Sequence, residues 1–536
     1  MDMEHIDGEI AAPPRLPPGE DRLSALPDDV LIQILIKLRD AAAAAKTSVL
    51  SRHWRRLWAL LPELCFHPAT GPQGIRAALE SHEALITRRL AVEVIDATPE
   101  SLTALLLVAA PRLSGDLQLI NEVGQKQTED EAAEAEAENG ALELPCFENA
   151  TTIRLDLGYL ALAMPPLGVF AGLTDLFLAG VDLRGPCMLG DAASSLRCPA
   201  LRKLTVHHAR GRLANFAIHS DSLLEIDLKH LQADGALGLG KFTIHSASLL
   251  QIELRNLQGI QELTVFAPAL QMLNVIHCFA NGVIQPVANI CAPHLKILTW
   301  SDAYDDSSTQ FCNMENLKCV ATYPFSVYGK DVHRSRNSFC LRLIRRFELI
   351  RCLRFMLFYV PDITNEQYLM EDITRLPDIT HLALDTCPNG HSFGASVFHV
   401  LGMCTGVKML LFTLRNTPGQ TKAQTACPSG CACDQPPNWK TQKLALNCLQ
   451  EVQIWELRGT EHEAALMKRL FDWATVLEKV TIAFDGSVPE SKAKEFFQML
   501  QSFSRLEIRV KQVVAPLAEY QAFLKGNTYR GFSKNT

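Results

Sequence analysis

The residues of this chain best suited to chemistry by type and spacing are Cys427, Cys431 and Cys433, with Cys448 following. Thiolates this close together can hold a metal ion. A structural zinc site takes four tetrahedral ligands, commonly as paired C-x2–4-C units. The spacing here is C-x3-C-x-C, and no histidine lies between Cys427 and Cys448. The stretch is rich in Pro and Gly and reads as a connecting loop, so no metal ligand is assigned. "GALGLGKF", Gly235 to Phe242, has the glycines of a phosphate loop but not its G-x4-G-K-[ST] spacing, and reads as a turn. The chain carries no G-x-S-x-G, no H-E-x-x-H and no kinase signature. His219 and His245 occupy equivalent places in two similar segments, which gives them a structural role before a catalytic one. No catalytic residue, metal or cofactor is assigned.

With no reacting group in view, the elements themselves carry the reading. The 536 residues are too many for one compact core, so the chain needs several domains or an elongated repeat. It is 48% hydrophobic and 21% charged, as soluble globular proteins are. A net charge of −8 argues against a general nucleic-acid binder. No apolar run is long enough to span a bilayer. The acidic, Pro-rich start "MDMEHIDGEIAAPPRLPPGED" is expected to be neither a signal nor a transit peptide, which points to the cytosol or nucleus. In a reducing compartment the sixteen cysteines read as small buried hydrophobes.

"FAIHSDSLLEIDLKHLQ" (Phe216–Gln232) is nearly rewritten 26 residues later as "FTIHSASLLQIELRNLQ" (Phe242–Gln258). Each copy holds an L-x-x-L-x-L frame, a short strand with one buried face. The frame recurs from Leu201 to Leu223, Leu249, Leu270 and Leu295, in steps of 22, 26, 21 and 25 residues. Weaker frames lie at Ile153-Leu155-Leu157, Leu173-Leu176-Leu178, Ile379-Leu382-Leu384, Val407-Leu410-Phe412 and Leu449-Val452-Ile454. These periods are those of leucine-rich repeats, whose strands bury their apolar faces only by stacking on neighbours. The segments between lack a fixed asparagine, so an irregular solenoid is expected. Glu129 to Glu138, with six acidic residues in ten, reads as a solvated disordered insertion.

At the N-terminal end, "LSALPDDVLIQILIKLRDAAAAAKTSVLSRHWRRLWALLPELCF" spans Leu23 to Phe66. Asp28 and Asp29 favour the start of a helix, and Val30, Leu31, Ile34, Leu35 and Leu38 follow at helical spacing. The alanines 41–45 favour helix, and Val49, Leu50, Trp54, Leu57 and Trp58 supply another apolar face. Three short helices carry more large apolar side chains than so small a core hides, so the module is expected to dock on something. Arg52, Arg55 and Arg56 read as a solvated face.

The L-P-x-D-x-L-x-x-I start and the "TSVLSRHWRRLW" finish of this segment resemble an F-box. The resemblance implies binding to the Skp-type adaptor of a cullin–RING ubiquitin ligase. Carried onto this sequence, the adaptor-binding positions are Leu26, Pro27, Leu31, Ile34, Val49, Leu50 and Trp54. The stretch from Cys427 to Phe484 is similar to the tail of plant F-box proteins with leucine-rich repeats and an FBD-type C-terminal domain. Its own pattern predicts two helix–strand units: a capping box at Thr460 and Glu463, a strand at Val480-Ile482-Phe484, a cap at Ser487 and Glu490, and a strand at Leu506-Ile508-Val510.

The expected fold is α/β, an irregular leucine-rich-repeat solenoid with a small N-terminal three-helix F-box. The expected divisions are a disordered tail at 1–20, the F-box at 21–68, the solenoid at 69–425 with the acidic insertion near 122–140, and FBD-like capping units at 426–536. The resemblance implies a non-catalytic substrate receptor of an SCF-type ligase, its repeats holding a target protein. The competing reading is a ligase-independent scaffold whose N-terminal helices cap the solenoid.

Overall fold

The computed structural model describes residues 26–123, 140–184, 188–234, 238–257, 259–279, 287–415, 430–434, 439–503 and 508–510. The expected tail at 1–20, the acidic run and Cys427 lie outside them. The chain forms two compact units that meet in sequence between Gly158 and Tyr159.

The first unit opens with three helices, α1 (Asp28–Lys37), α2 (Ala41–Lys46) and α3 (Arg52–Trp58). Asp40 caps α2 by accepting from the Ala42 N–H at 2.9 Å, and Ser51 caps α3 by accepting from Trp54 N–H at 3.3 Å. Strands and helices then alternate: β1 (Glu63–Phe66), α4 (Gly71–Ser81), β2 (Thr87–Ile95), α5 (Pro99–Ala109), β3 (Leu113–Glu122), β4 (Leu142–Glu143) and β5 (Thr152–Ala163), whose last residues belong to the second unit. β1, β2, β3 and β5 pair in parallel, with Leu64 opposite Leu90, Leu90 opposite Leu117 and Leu117 opposite Ile153. All four side chains are buried. The repeat frame therefore begins at Leu61-Leu64-Phe66, inside the stretch that the sequence reading gave to the helical module.

The second unit opens mostly in strands, with one short helix. Its opening elements are β6 (Asp175–Arg184), α6 (Leu189–Ala192), β7 (Lys203–Gly211), β8 (Ala217–His219), β9 (Glu225–Ala233), β10 (Gly240–His245), β11 (Gln251–Arg255) and β12 (Ile260–Phe266). Next come β13 (Met272–Ile276), β14 (Val287–Cys291), β15 (Ile297–Ser301), β16 (Thr309–Phe311), β17 (Cys319–Thr322), β18 (Phe325–Ser326) and β19 (Tyr328–Gly329). Helices return with α7 (Asp331–Arg346), β20 (Cys352–Phe358), β21 (Gln367–Tyr368), β22 (His381–Cys387), α8 (Gly394–Met403) and β23 (Met409–Leu414). The last elements are β24 (Glu451–Leu457), α9 (Glu461–Trp473), β25 (Lys479–Phe484), α10 (Glu490–Phe503) and β26 (Ile508–Val510).

One parallel sheet runs β6-β7-β9-β11-β13-β15-β17-β20-β22-β23-β24-β25-β26. The frame leucines at Leu204, Ile226, Ile252, Leu273 and Leu298 face one another across it and are buried. A second parallel sheet, β8-β10-β12-β14-β16, closes the other side of the middle repeats. The two near-identical copies stand on adjacent rungs. Ile226 pairs with Ile252 and Leu228 with Leu254, while the Phe216 and Phe242 rings stack at 4.7 Å.

Each middle strand breaks its extension at one place. Gly180, His208, His230, Asn256 and His277 all have left-handed φ, between 52° and 54°, directly after the fifth residue of their strands. Histidine and asparagine are among the side chains that accept this conformation. The His208 and His230 rings stack 4.5 Å apart and 5° from parallel, and Asn256 Nδ2 donates toward His230 Nε2 at 3.4 Å. Burial, with the His208 ring next, holds the His230 pKa below its usual value.

On the next rung Asp302 accepts from the backbone N–H of Cys278 at 3.0 Å and of Phe279 at 3.2 Å. Burial raises its pKa from 3.8 to about 6, against the pull of those bonds. Between the two values the folded chain holds a proton that the unfolded chain does not, so this group adds stability as the pH falls through 6 and loses it as the pH rises. Wild type should gain about 1–1.5 kcal/mol over Asp302→Asn between pH 7.5 and 5, measured by urea unfolding. A difference that does not change with pH would contradict this.

In the tail the predicted capping box is present. Thr460 Oγ1 accepts from Glu463 N–H at 3.3 Å. Glu463 Oε2 accepts from the N–H groups of Arg458, Gly459 and Thr460 at 3.0, 2.8 and 3.2 Å. Its carboxylate is buried. Glu463→Ala would strand buried donors, so an expected loss of about 2 kcal/mol in urea unfolding follows, with Glu463→Gln losing much less. Equal losses in the two variants would put the effect in packing. The second predicted cap is not formed as expected. Ser487 Oγ and N–H both bond Asp485 instead, at 2.6 and 2.8 Å, because the tight turn after β25 brings that carboxylate nearer than the helix start.

Candidate interaction surfaces

The structure separates the seven predicted adaptor-binding residues by exposure. Leu31 and Trp54 are buried in the core of the three helices, with Leu35 and Leu57. Ile34 is half-buried, and Pro27 is exposed. Leu26, Val49 and Leu50 are 37, 84 and 64% exposed. Val30 and Leu38, which sequence reasoning placed only on an apolar helix face, are exposed as well. Val30, Ile34 and Leu38 recur every four residues and so form one stripe along α1. Leu31 and Leu35, one position on, form the buried stripe. Buried residues here hold the helices in place, and the exposed ones are available to a partner.

His53 Nε2 lies 3.3 Å from Asp28 Oδ1, joining α3 to the start of α1. His67 bonds the Arg39 carbonyl at 2.9 Å through Nε2, which therefore donates, and Glu93 lies 3.3 Å from its Nδ1. The turn between α1 and α2 is thereby fastened to β2. The Glu93 carboxylate, then the Arg39 carbonyl, raise the His67 pKa.

The outward face of the second unit's sheet changes character along the array. On β9 and β11 it is an alternating charge ladder. Lys229 Nζ lies 2.9 Å from Asp227 and 3.8 Å from Glu253, and Arg255 lies 2.9 Å from Glu253. These half-buried pairs stay in contact with solvent, so the ladder is chiefly a patterned surface. From β15 onward the same face is apolar. Ile297, Cys319, Cys352, Ala383, Leu411, Trp455 and Ala483 form one buried cluster with Met272 and Met409 at its edge. Set into this face, buried Asp385 is held by Arg354 Nη2 at 2.6 Å and Nε at 2.8 Å. Both nitrogens, with Arg415 Nε at 3.5 Å, converge on Oδ2, and the paired positive charge offsets the desolvation of this buried carboxylate. No helix of the described residues is long and apolar enough to cross a membrane.

Such a chain is a parallel-strand repeat protein, built to present a long surface. No protein-family profile matches it. It is 26% identical over 282 residues to an F-box/FBD/LRR-repeat protein of Arabidopsis thaliana, covering 50% of this chain and 54% of that one. A putative F-box/FBD/LRR-repeat protein of the same plant is 26% identical over 333 residues, 59% of this chain and 58% of its own length. A putative F-box protein from the same source is 46% identical over 69 residues, 12% of this chain and 14% of its own length. The chain thus spans a little over half the length of the first two relatives. Over those stretches it is similar to plant F-box/FBD/LRR-repeat proteins.

Proposed function

We propose that this chain is the substrate-recognition subunit of an SCF-type cullin–RING ubiquitin ligase, acting in the cytoplasm, the nucleus or both. Residues 21–68 dock on a Skp-type adaptor as an F-box. The irregular leucine-rich repeats of 69–425 hold a target protein, and the FBD-like units of 426–536 close the array. The observation that carries this reading is the apolar exposure of Val30 on α1, of Leu26 and Pro27 just before it, and of Val49 and Leu50 between α2 and α3, while Leu31 and Trp54 already fill the interior of the three helices. The chain supplies no reacting group. It raises the effective concentration of a target lysine near the charged ubiquitin carrier, which is catalysis by proximity.

Retention of the purified chain on an immobilised Skp-type adaptor tests the docking half. Binding is expected for wild type and weakened binding for Leu26→Ala/Pro27→Ala. No retention of wild type would leave the scaffold reading, in which α1–α3 only cover the sheet. That second reading draws on the contacts of α2 with β1 and of His67 with Arg39. It predicts that deleting 21–68 destabilises the repeats.

A further inference from the structure

The loop chemistry that the spacing of the cysteines argued against gains a ligand from elsewhere in the fold. His391 Nδ1, Cys431 Sγ and Cys433 Sγ all lie within 4.8 Å of one another. Four tetrahedral ligands at zinc bond lengths stand roughly 3.5–3.8 Å apart. Cys431 Sγ and His391 Nδ1 are already 3.6 Å apart. His391 Nε2 is 3.1 Å from the Pro361 carbonyl oxygen. A carbonyl only accepts, so Nε2 carries the proton and Nδ1 presents its lone pair to the two sulfurs. A metal-ligating histidine is oriented in this way by its other nitrogen. The Ser392 N–H donates to Cys433 Sγ at 3.4 Å, so the sulfur is held in place as an acceptor.

The surroundings are rigid and one-sided. His391 follows a turn at Asn389 and Gly390, whose φ values are 47° and 86°. Asn389 Nδ2 donates to the Tyr359 carbonyl at 2.6 Å, and the Tyr359 ring stacks on His391 at 6.1 Å. Tyr328 Oη donates to the Ala432 carbonyl at 3.3 Å, which pins the cysteine segment. His391 and Cys433 are buried, while Cys431 is half-buried and leaves an approach from solvent. The cluster sits just beyond the carboxyl ends of β20 and β22, where parallel sheets place their ligands.

We propose that His391, Cys431 and Cys433 form a Cys2His site for Zn2+, with the fourth coordination position open to solvent. Binding releases the two thiol protons and moves no electrons. The ion fastens residues 430–434 to the ends of β20 and β22. The proposal stands apart from adaptor docking, and neither depends on the other.

The full chain, stripped with a chelator and kept reduced, is titrated with Co2+ and then Zn2+. Wild type should show thiolate-to-cobalt charge transfer with the visible bands of a tetrahedral ion, displaced by one equivalent of Zn2+. Cys431→Ser/Cys433→Ser should lose both signals and keep its fold by circular dichroism. His391→Ala should weaken Zn2+ by more than roughly tenfold, the loss seen when even an outer-shell partner is removed. Unchanged cobalt bands in the double-serine variant, or none in wild type, would overturn the assignment.

Discussion

Val49→Glu/Leu50→Glu should lower the affinity for a Skp-type adaptor at least about 100-fold, without moving the unfolding transition of the chain. The two side chains are 84 and 64% exposed and contribute little to the fold. On docking they would be enclosed by apolar partner surface. A carboxylate brought there must shed its water or take up a proton, and two together cost well over the roughly 2.7 kcal/mol that a 100-fold loss represents. Leu31→Ala is the informative contrast. Leu31 is buried, so its truncation should lower stability by about 2–5 kcal/mol and affect binding through the fold. Titration of each variant against labelled adaptor, with a melting curve beside it, separates the two outcomes. Unchanged affinity of the double-glutamate variant would remove residues 49 and 50 from the contact surface.

Trp300→Ala is expected to destabilise the second unit by about 3–5 kcal/mol. Trp300 is the fourth residue of β15 and is fully enclosed. Its ring lies 5.7 Å from Phe279 and 5.5 Å, edge-on, from Phe311 of β16, and Nε1 donates to the Ala303 carbonyl at 3.4 Å. The side chain therefore ties the main sheet to the second sheet where the latter ends. Replacing it by a methyl group leaves a cavity between two sheets whose strands cannot approach without breaking their own ladders. Urea unfolding followed by circular dichroism measures the loss. A loss under about 1 kcal/mol would mean that the aromatic cluster repacks around the gap.

The residues that could be read from sequence are those whose pattern is local and periodic. The frames at Leu201, Leu223, Leu249, Leu270 and Leu295 announced their strands because alternation and stacking period agree. Thr460 and Glu463 were equally legible, since both partners of a capping box lie within one turn. The second sheet was not. Ile218, Ile244 and Val265 lie in strands between the frames that carry no recurring L-x-x-L-x-L signature. β1 was hidden because four residues follow directly on a helical run. On α1, Val30, Leu31, Ile34, Leu35 and Leu38 formed one apolar set by letter. Only packing divides them into an inner and an outer stripe. His391 stands 40 residues before Cys431, and no spacing rule joins them. Folding brings them together because one follows β22 and the other follows β23, and those two strands are paired neighbours in parallel.

The paired copies at 216–232 and 242–258 bear on how such a chain changes over generations. One copy adds one rung, and its strand meets its neighbour in the same register as every other. Gaining or losing a whole unit therefore leaves the remaining partners undisturbed, so ancestry can lengthen the surface in discrete steps. The inward residues Ile226 and Leu228 recur unaltered as Ile252 and Leu254. The outward residues Asp227 and Lys229 are matched by Glu253 and Arg255, with the same charge sign and a different reach, and His230 is matched by Asn256. Between the two copies the interior is identical and the exterior differs, so the surface can vary from rung to rung while the packing stays the same.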